Sequence, residues 1–200
     1  MTFAPTRRLW IATALVSCGI ACLPFLLFRP APSAVRLIPR SDAEQYLLAA
    51  ARAGDHEVVD GLLKAGVSPA VTDDRGYSAL ILAAYHDHLP VVRRLVAAGA
   101  DPCAGDRGGN TALMGAAFKG HVDIVRYLLG QPCAVDQSNL VGRTALMFAA
   151  LVDHTTVVAT LLRGGASTTA RDADGRTAED WAATQGASPV ESAAAVRFRR

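Results

Sequence analysis

Histidines are the residues of this 200-residue chain whose type and spacing could do chemistry, either as metal ligands or as catalytic bases. The densest cluster is His86-Asp87-His88, which could hold an ion as in a metal-dependent hydrolase. However, His88, His121 and His154 recur at intervals of 33 residues. If each interval of 33 residues is one structural unit, histidines of successive units are too distant to share an ion at ligand distances of about 2.0–2.1 Å. The spacing therefore favours a structural role.

Motifs of other catalytic sites are absent from the sequence. The chain has no Cys-x-x-Cys, Gly-x-Ser-x-Gly, His-Glu-x-x-His or phosphate-loop pattern. We therefore predict a protein that is not an enzyme, needs no cofactor or metal and takes no small-molecule substrate. Charge disfavours nucleic-acid binding, since residues 1–40 have five arginines and no acid, whereas residues 41–200 carry a net charge of −3. A slightly acidic folded region lacks the basic surface that such binding requires.

An internal repeat of 33 residues predicts the helices that position the histidines. Four blocks begin with Ser-Ala or Thr-Ala at positions 78, 111, 144 and 177, and each continues into a pair of alanines. In the first three blocks a second apolar segment follows, such as Ile124-Val125 with Leu128-Leu129, and this i, i+1, i+4, i+5 spacing is helical. Each unit is therefore predicted to form two short helices that bury one face against each other and their neighbours.

These units resemble the ankyrin repeat. The matching residues are Gly109-Asn110-Thr111-Ala112-Leu113 before and within the first helix, Gly120-His121 before the second helix, and Gly99-Ala100-Asp101-Pro102 at the turn. The resemblance implies an all-α ankyrin-repeat solenoid of about five helix-turn-helix units with short β-hairpin turns, in which the repeated histidines cap helices. The units are placed at about 41–73, 74–106, 107–139, 140–172 and 173–198.

The units depart from the Thr-Pro-Leu-His start of the family. Alanine replaces the proline in each block, and the histidine is replaced by Ile81, Met114, Met147 and Asp180. In the family that histidine helps to link neighbouring units through hydrogen bonds. We therefore expect the apolar Ile and Met side chains to supply this cohesion by packing.

The end units have the features of caps, which a solenoid needs because its last units have one neighbour. Residues 41–44, Ser-Asp-Ala-Glu, have the spacing of a capping box, and Asp55 is placed to cap the second helix. At the other end Pro189 suits a first helical turn, and Glu191 replaces a valine that the inner units keep apolar.

A membrane segment is predicted near the N-terminus. Residues 9–28 carry no charge and follow a basic start at 1–8. A helix of this length reaches about 30 Å, the thickness of a hydrocarbon core. Because no small-x-small site followed by polar sequence appears, an uncleaved transmembrane anchor is favoured over a cleaved signal segment. Two alternatives stay open, which are a twin-arginine export signal at Arg7-Arg8 and lipidation at Cys18. Residues 29–40, with three prolines, are predicted to be a linker.

The orientation of this anchor is not decided by counting Lys and Arg near its two ends. A short basic start before an apolar run is typical of exported anchors, which predicts a single-pass protein of the bacterial inner membrane with a periplasmic ankyrin domain. Among exported bacterial ankyrin proteins, the resemblance allows two alternatives. One is an accessory protein that supports a periplasmic catalase, and the other is an immunity-type protein that neutralises a toxin.

A partner-binding surface is predicted on the concave groove that the resemblance implies. Tyr85, Phe118 and Leu151 recur at 33 residues and could form an apolar stripe, although half-buried packing between helices is an equal alternative. Leu140-Val141 lies where other units have polar or small residues, so this turn is predicted to expose apolar surface. The polar rim is predicted to comprise Tyr77, His86, Arg107, Asn110, Lys119 and Arg143.

Two cysteines, Cys103 and Cys133, lie outside the membrane segment. They are not equivalent in the repeat, because Cys103 follows Asp-Pro whereas Cys133 aligns with Ala100. A disulfide requires Cα atoms about 4.4–6.8 Å apart, which this offset permits without predicting it. The sequence therefore favours two free, half-buried thiols. As a whole it predicts a membrane-tethered, non-catalytic scaffold that binds an unidentified protein through units two to four.

Overall fold

The computed structural model describes residues 40–184, with side chains from residue 41 onward. Nine helices follow one another in this part of the chain: α1 Arg40–Ala53, α2 His56–Lys64, α3 Ala79–Tyr85, α4 Leu89–Ala97, α5 Ala112–Lys119, α6 Val122–Leu129, α7 Ala145–Leu151, α8 Thr155–Arg163 and α9 Ala178–Ala183. Isolated β-bridges join Thr72 to Ser78 and Gly105 to Thr111, and no longer strand forms in the described range. The predicted all-α class is confirmed there, but the predicted β-hairpin turns are reduced to these bridges.

Several predicted features lie outside the described residues. They are the anchor at 9–28 with Cys18, the linker as far as residue 39, and the terminal cap at Pro189 and Glu191. Between residues 40 and 184, no helix combines the length and the apolar character needed to cross a membrane.

The helices form two rows. The inner helices α1, α3, α5, α7 and α9 pack side by side in chain order, and the outer helices α2, α4, α6 and α8 pack behind them. The paired alanines of α3, α5 and α7 are completely buried, so the two rows can approach closely. Buried side chains from every helix pair belong to one hydrophobic cluster. The core is therefore continuous along the array, as the period predicts.

Hydroxyl groups start the inner helices at the period of 33. The side chains of Ser78, Thr111, Thr144 and Thr177 each accept the backbone N–H three residues ahead, at 3.2 to 3.4 Å. These bonds satisfy N–H groups that the first turn of a helix leaves without a partner. The Ser-Ala and Thr-Ala pairs of the repeat are therefore N-cap and first helical residue.

The first unit begins differently from its capping-box prediction. Helix α1 already includes Arg40, so Ser41 lies inside the first turn and its hydroxyl donates to Asp42. The acidic Asp42 stabilises this earlier start, because the N-terminal end of a helix is electropositive. The prediction for Asp55 is confirmed, since its carboxylate accepts the N–H of Val58 at 3.0 Å and caps α2.

Tight turns precede four inner helices and are called the tips, comprising residues 73–77, 106–110, 139–143 and 172–176. In each tip the first side chain, Asp73, Asp106, Asn139 or Asp172, accepts the N–H groups two and four residues ahead at 2.8 to 3.1 Å. Backbone bonds join neighbouring tips, from Leu140 to the Gly108 carbonyl and from Ala173 to the Val141 carbonyl. The tips therefore form an ordered row beside the inner helices.

Histidine side chains form hydrogen bonds between units, which the sequence analysis did not predict. His154 occupies an N-cap position without a side-chain capping bond, and the same holds for His88 and His121. Their Nε2 atoms instead meet carbonyl oxygens of the preceding unit, on Arg52 at 3.1 Å and Tyr85 at 3.0 Å. The predicted capping role is therefore wrong for these side chains, and polar links between units persist. Packing contributes as expected, because the residues that replace the family histidine in units two to four are buried: Ile81, Met114 and Met147.

The predicted free thiols are wrong, because Cys103 and Cys133 form a disulfide between the turns that follow α4 and α6, with Cα atoms 5.5 Å apart. The cause is Pro132. Units one, two and four have a glycine of positive φ at its position, namely Gly66, Gly99 and Gly165. Proline cannot adopt that backbone conformation. Whereas Ala100 donates its N–H back to the helix, Cys133 donates to Gln131, and the altered turn brings its thiol to Cys103.

Candidate functional site

A groove crosses the inner helices of the first four units. It has a volume of about 580 Å³ and is lined by side chains of α1, α3, α5 and α7 and of the intervening tips. The inner helices can present side chains here because their other faces are buried against the outer row. The floor and walls are mainly apolar, while polar side chains come from the tips and from the ends of α1 and α3.

A recess opens in the groove floor at Gly115. The period aligns this glycine with Leu82 in unit two and Phe148 in unit four, and both of these larger residues line the groove. A Cβ atom at Gly115 would lie 3.7 Å from the ring of Tyr85, which is an ordinary van der Waals distance. Gly115 and these larger residues line the same open groove, and we call the part of it over Gly115, between Leu82, Tyr85, Phe118 and Phe148, the Gly115 recess.

Aromatic rings form the walls of this recess. Phe118 and Phe148 meet edge to face with centroids 6.2 Å apart, a favoured arrangement for aromatic pairs. Tyr85 is 36% exposed, and Lys119 Nζ lies 5.2 Å from its ring centroid. Two members of the predicted stripe, Tyr85 and Phe118, are thus brought together. The third, Leu151, packs against the core and does not line the groove, where Phe148 is found instead.

Hydrogen bonds order the polar edge at the tips. Asn139 Nδ2 donates to Asn110 Oδ1 at 2.8 Å, which links units three and four. Asn110 Nδ2 in turn donates to both carboxylate oxygens of Asp106, at 3.1 and 3.0 Å. Asp106 also accepts two backbone N–H groups of its own tip, so its acceptors are used within the chain. Tyr77 and Arg143 complete this edge.

Arg143 is held by a cluster between units four and five. Its guanidinium carbon lies 4.4 Å from the Trp181 ring centroid, and that of Arg176 lies 3.9 Å from it. The Asp172 side chain, 1% exposed, accepts from Trp181 Nε1 at 3.0 Å and lies within 4.0 Å of both arginines. Burial alone would raise the pKa of Asp172, but hydrogen bonds from Arg176, Trp181 and Asp174 bring it below its ordinary value.

Two cationic side chains and a histidine lie where the inner helices end. Arg52 lies in the last turn of α1, His86 follows the last residue of α3, and Lys119 ends α5. Burial lowers the pKa of His86, and positive charge on His88, Arg52, Lys119 and His121 lowers it further. Arg52 and Lys119 therefore place two positive charges at this end of the groove.

Six of the eleven predicted site residues line the groove: Tyr77, Tyr85, His86, Asn110, Phe118 and Arg143. The lining does not include Arg107, Lys119, Leu140, Val141 or Leu151. The apolar tip is nevertheless exposed as predicted, with Leu140 78% and Val141 48% exposed. These two residues lie in the chain between Asn139 and Arg143, which both line the groove, so the tip adjoins it.

Nine lining residues are missing from the predicted site: Arg52, Ile81, Leu82, Asp106, Thr111, Met114, Gly115, Asn139 and Phe148. The period itself carries a signal for Gly115, because it aligns a glycine with large residues in neighbouring units. It also marks Asp106 and Asn139, which open successive tips. Arg52 precedes the four aligned blocks, so the repeat provides no comparable signal for it.

The histidine cluster does not converge on one point. His88 is bonded to the Arg52 carbonyl, and the rings of His86 and His88 are stacked with centroids 6.4 Å apart. Asp87 lies 3.5 Å from His121 Nδ1 instead. Over residues 41–184, no group of three or more His, Cys, Asp or Glu side chains is arranged to hold a metal ion.

Comparison with known proteins identifies the units. The family model described as ankyrin repeats (3 copies) matches residues 47–139 and 120–193, which together span more than half of the chain. No curated protein matches the chain.

Proposed function

This chain belongs to the ankyrin repeat family, and from that premise we propose that it is a non-catalytic scaffold that binds a protein partner through the concave face of units two to four. Ankyrin repeats generally mediate protein–protein interaction. The partner supplies any chemistry, and the scaffold supplies a fixed surface.

One observation carries this proposal, which is the continuity of the groove with the exposed Leu140-Val141 tip. Interfaces commonly combine an apolar centre with a polar rim that fixes orientation. Here the apolar centre comprises Tyr85, Phe118 and Phe148, and polar side chains of the tips lie along one edge of the groove. An exposed apolar tip beside such a centre extends the surface available to a partner.

The test replaces both tip residues, as Leu140→Asp with Val141→Asp, in the full chain. Crosslinking in cells followed by pull-down is expected to lose the partner, while the thermal unfolding midpoint changes little because both side chains are exposed. The matched control is Tyr46→Asp with Val58→Asp, since these side chains are 57% and 43% exposed away from the groove. Equal loss of the partner in both variants, or a large loss of stability in the tip variant, would count against the proposal.

We further propose that residues 9–28 tether the scaffold to the bacterial inner membrane with the repeats in the periplasm. The charge-free stretch supports the tether, and the Cys103–Cys133 disulfide supports export, because disulfides persist in oxidising compartments. A phosphatase that requires export, fused after Arg200, is expected to be active. Activity of a cytoplasmic reporter at the same position would overturn this orientation. Identification of the crosslinked partner as a catalase or a toxin would decide between the two more specific functions.

A further inference from the structure

The Gly115 recess is a local exception in an otherwise regular surface. Helix α5 has only eight residues, and a glycine inside it is unfavourable relative to alanine. Space does not require the glycine, since an added Cβ atom meets its nearest neighbour at 3.7 Å. Neighbouring units place Leu82 and Phe148 at the same register, so a glycine here opens a gap between two large side chains.

The lining of the recess determines what can fill it. Its walls are the rings of Tyr85, Phe118 and Phe148, and Met114 contributes to the floor beside Gly115. An aromatic or large aliphatic group would remove these surfaces from water without leaving a polar atom unbonded. A charged group would lose part of its hydration against these rings.

The charged side chains around the recess differ in how many partners they already have within the chain. The carboxylate that lines the groove, Asp106, already accepts hydrogen bonds from Asn110 and from its own tip. Lys119 contacts the Tyr85 ring but forms no ion pair with a described carboxylate, and Arg52 forms one long ion pair, with Asp73 at 3.9 Å. Positive charge at the helix ends is therefore left for a ligand to complement.

We propose, building on the protein-binding function above, that the occupant is an extended segment of a partner protein in which a bulky apolar side chain is followed by carboxylates. The apolar side chain fills the Gly115 recess, and the carboxylates lie against Arg52 and Lys119. The buried side chain provides affinity, and the charges set the direction of the segment along the groove.

His86 provides an independent readout, because it lies at this cationic end and lines the groove. The surrounding charges that lower its pKa are Arg52 from α1, Lys119 from α5, and His88 and His121 from the turns before α4 and α6. The carboxylate of Asp87 is its neighbour in the chain. A bound carboxylate is expected to raise the pKa of His86, which NMR titration with and without a peptide can measure.

The test selects peptides from a displayed random library on the full-length chain, immobilised in detergent through a C-terminal tag. Wild-type protein is expected to enrich peptides with Phe, Tyr, Trp or Leu beside Asp or Glu. Gly115→Leu fills the recess and is expected to weaken these peptides about tenfold or more. Gly115→Ala is the milder variant, and Gly61→Leu is the matched control because its Cβ meets open space on α2.

Charge is tested separately with Arg52→Gln and Lys119→Gln, which are expected to remove the acidic preference but keep the apolar one. Arg126→Gln on the outer helix α6 is the control. Enrichment of basic or purely polar peptides, no enrichment, or equal weakening by Gly61→Leu would overturn the inference. Binding of free phenylacetate without any enriched peptide would overturn it in favour of a small-molecule site.

This outcome is distinguishable from failure of the proposed function. If the crosslinked partner is lost on tip substitution but retained in Gly115→Leu and Gly115→Ala, the scaffold function stands and the recess inference fails. If no crosslinked partner depends on the tip, the proposed function fails whatever the library yields.

Discussion

At the scale of single residues, the Asp172 side chain orders its own tip, joins units four and five through Trp181, and lies against Arg143, which lines the groove. Its Oδ1 accepts the N–H groups of its tip, and its Oδ2 accepts from Trp181. Both oxygens are thus occupied in a carboxylate that is almost completely buried. Asn139 opens the preceding tip with the same backbone bonds, so the turn alone does not require a charge. The negative charge instead lies against Arg143 and Arg176, at 4.0 and 3.3 Å from Oδ2.

We predict that Asp172→Asn lowers the thermal unfolding midpoint and removes part of its acid sensitivity. The folded-state pKa of Asp172 lies below its ordinary value of 3.8, so the charged form stabilises the fold above that value. This contribution is lost as the pH falls through the lowered pKa. Melting curves from neutral pH to below pH 3.8 should therefore converge for wild type and variant.

The control for this prediction is Asp123→Asn, which removes an exposed carboxylate paired with Arg126 on α6. Exposed pairs contribute little to stability, so this variant should follow the wild-type curve. Parallel curves for Asp172→Asn and wild type at every pH would show that the carboxylate makes no net contribution.

At the scale of elements, the rows are joined by side chains that reach one unit back. His121 bonds the Tyr85 carbonyl at the end of α3, and His88 bonds the Arg52 carbonyl near the end of α1. In the outer row, hydrogen bonds from Lys64 and from Arg94 of α4 lower the pKa of Asp60 to about 2. The two histidine bonds satisfy helix-end carbonyls, and the Arg94 contact links α4 to α2.

We predict that His121→Ala lowers the free energy of unfolding by about 1–2 kcal/mol, because a helix-end carbonyl loses its partner. Urea denaturation measures this change. His56→Ala is the matched control, since His56 also lies at a helix start but is exposed. If the two variants lose the same stability, the bond to the preceding unit contributes nothing specific.

At the scale of the whole molecule, the Cys103–Cys133 disulfide adds a covalent link to an array otherwise held by contacts between neighbours. It closes a loop with a sequence separation of 30 that contains the whole of unit three's helix pair. A crosslink of this kind stabilises mainly by restricting the unfolded chain.

We predict that reduction lowers the free energy of unfolding by about 2–4 kcal/mol, as expected for a loop of this length. Denaturation of the full chain with and without a reducing agent measures the change. The variant Cys103→Ser with Cys133→Ser cannot form this disulfide, so the reducing agent should not change its stability. It keeps Cys18 and Cys22. A reductant effect that persists in this variant would assign the change to the other cysteines.

The sequence by itself determined the architecture of this protein. Helical spacing of apolar residues and the period of 33 are properties of consecutive residues, so they predict a stack of helix pairs without knowledge of any long-range contact. The Asp55 cap and the exposed Leu140-Val141 tip followed for the same reason. Each of these two predictions depends only on a position within one unit and on whether the residue there is polar or apolar.

Tertiary structure alone decided how side chains from different units meet. The Gly115 recess exists because Leu82 and Phe148 stand on either side of it, and the disulfide exists because Pro132 redirects a turn toward Cys103. His88 and His121 reach back one unit although their positions suggest local capping. In each case the outcome depends on distances between residues about 30 positions apart, which a local pattern does not specify.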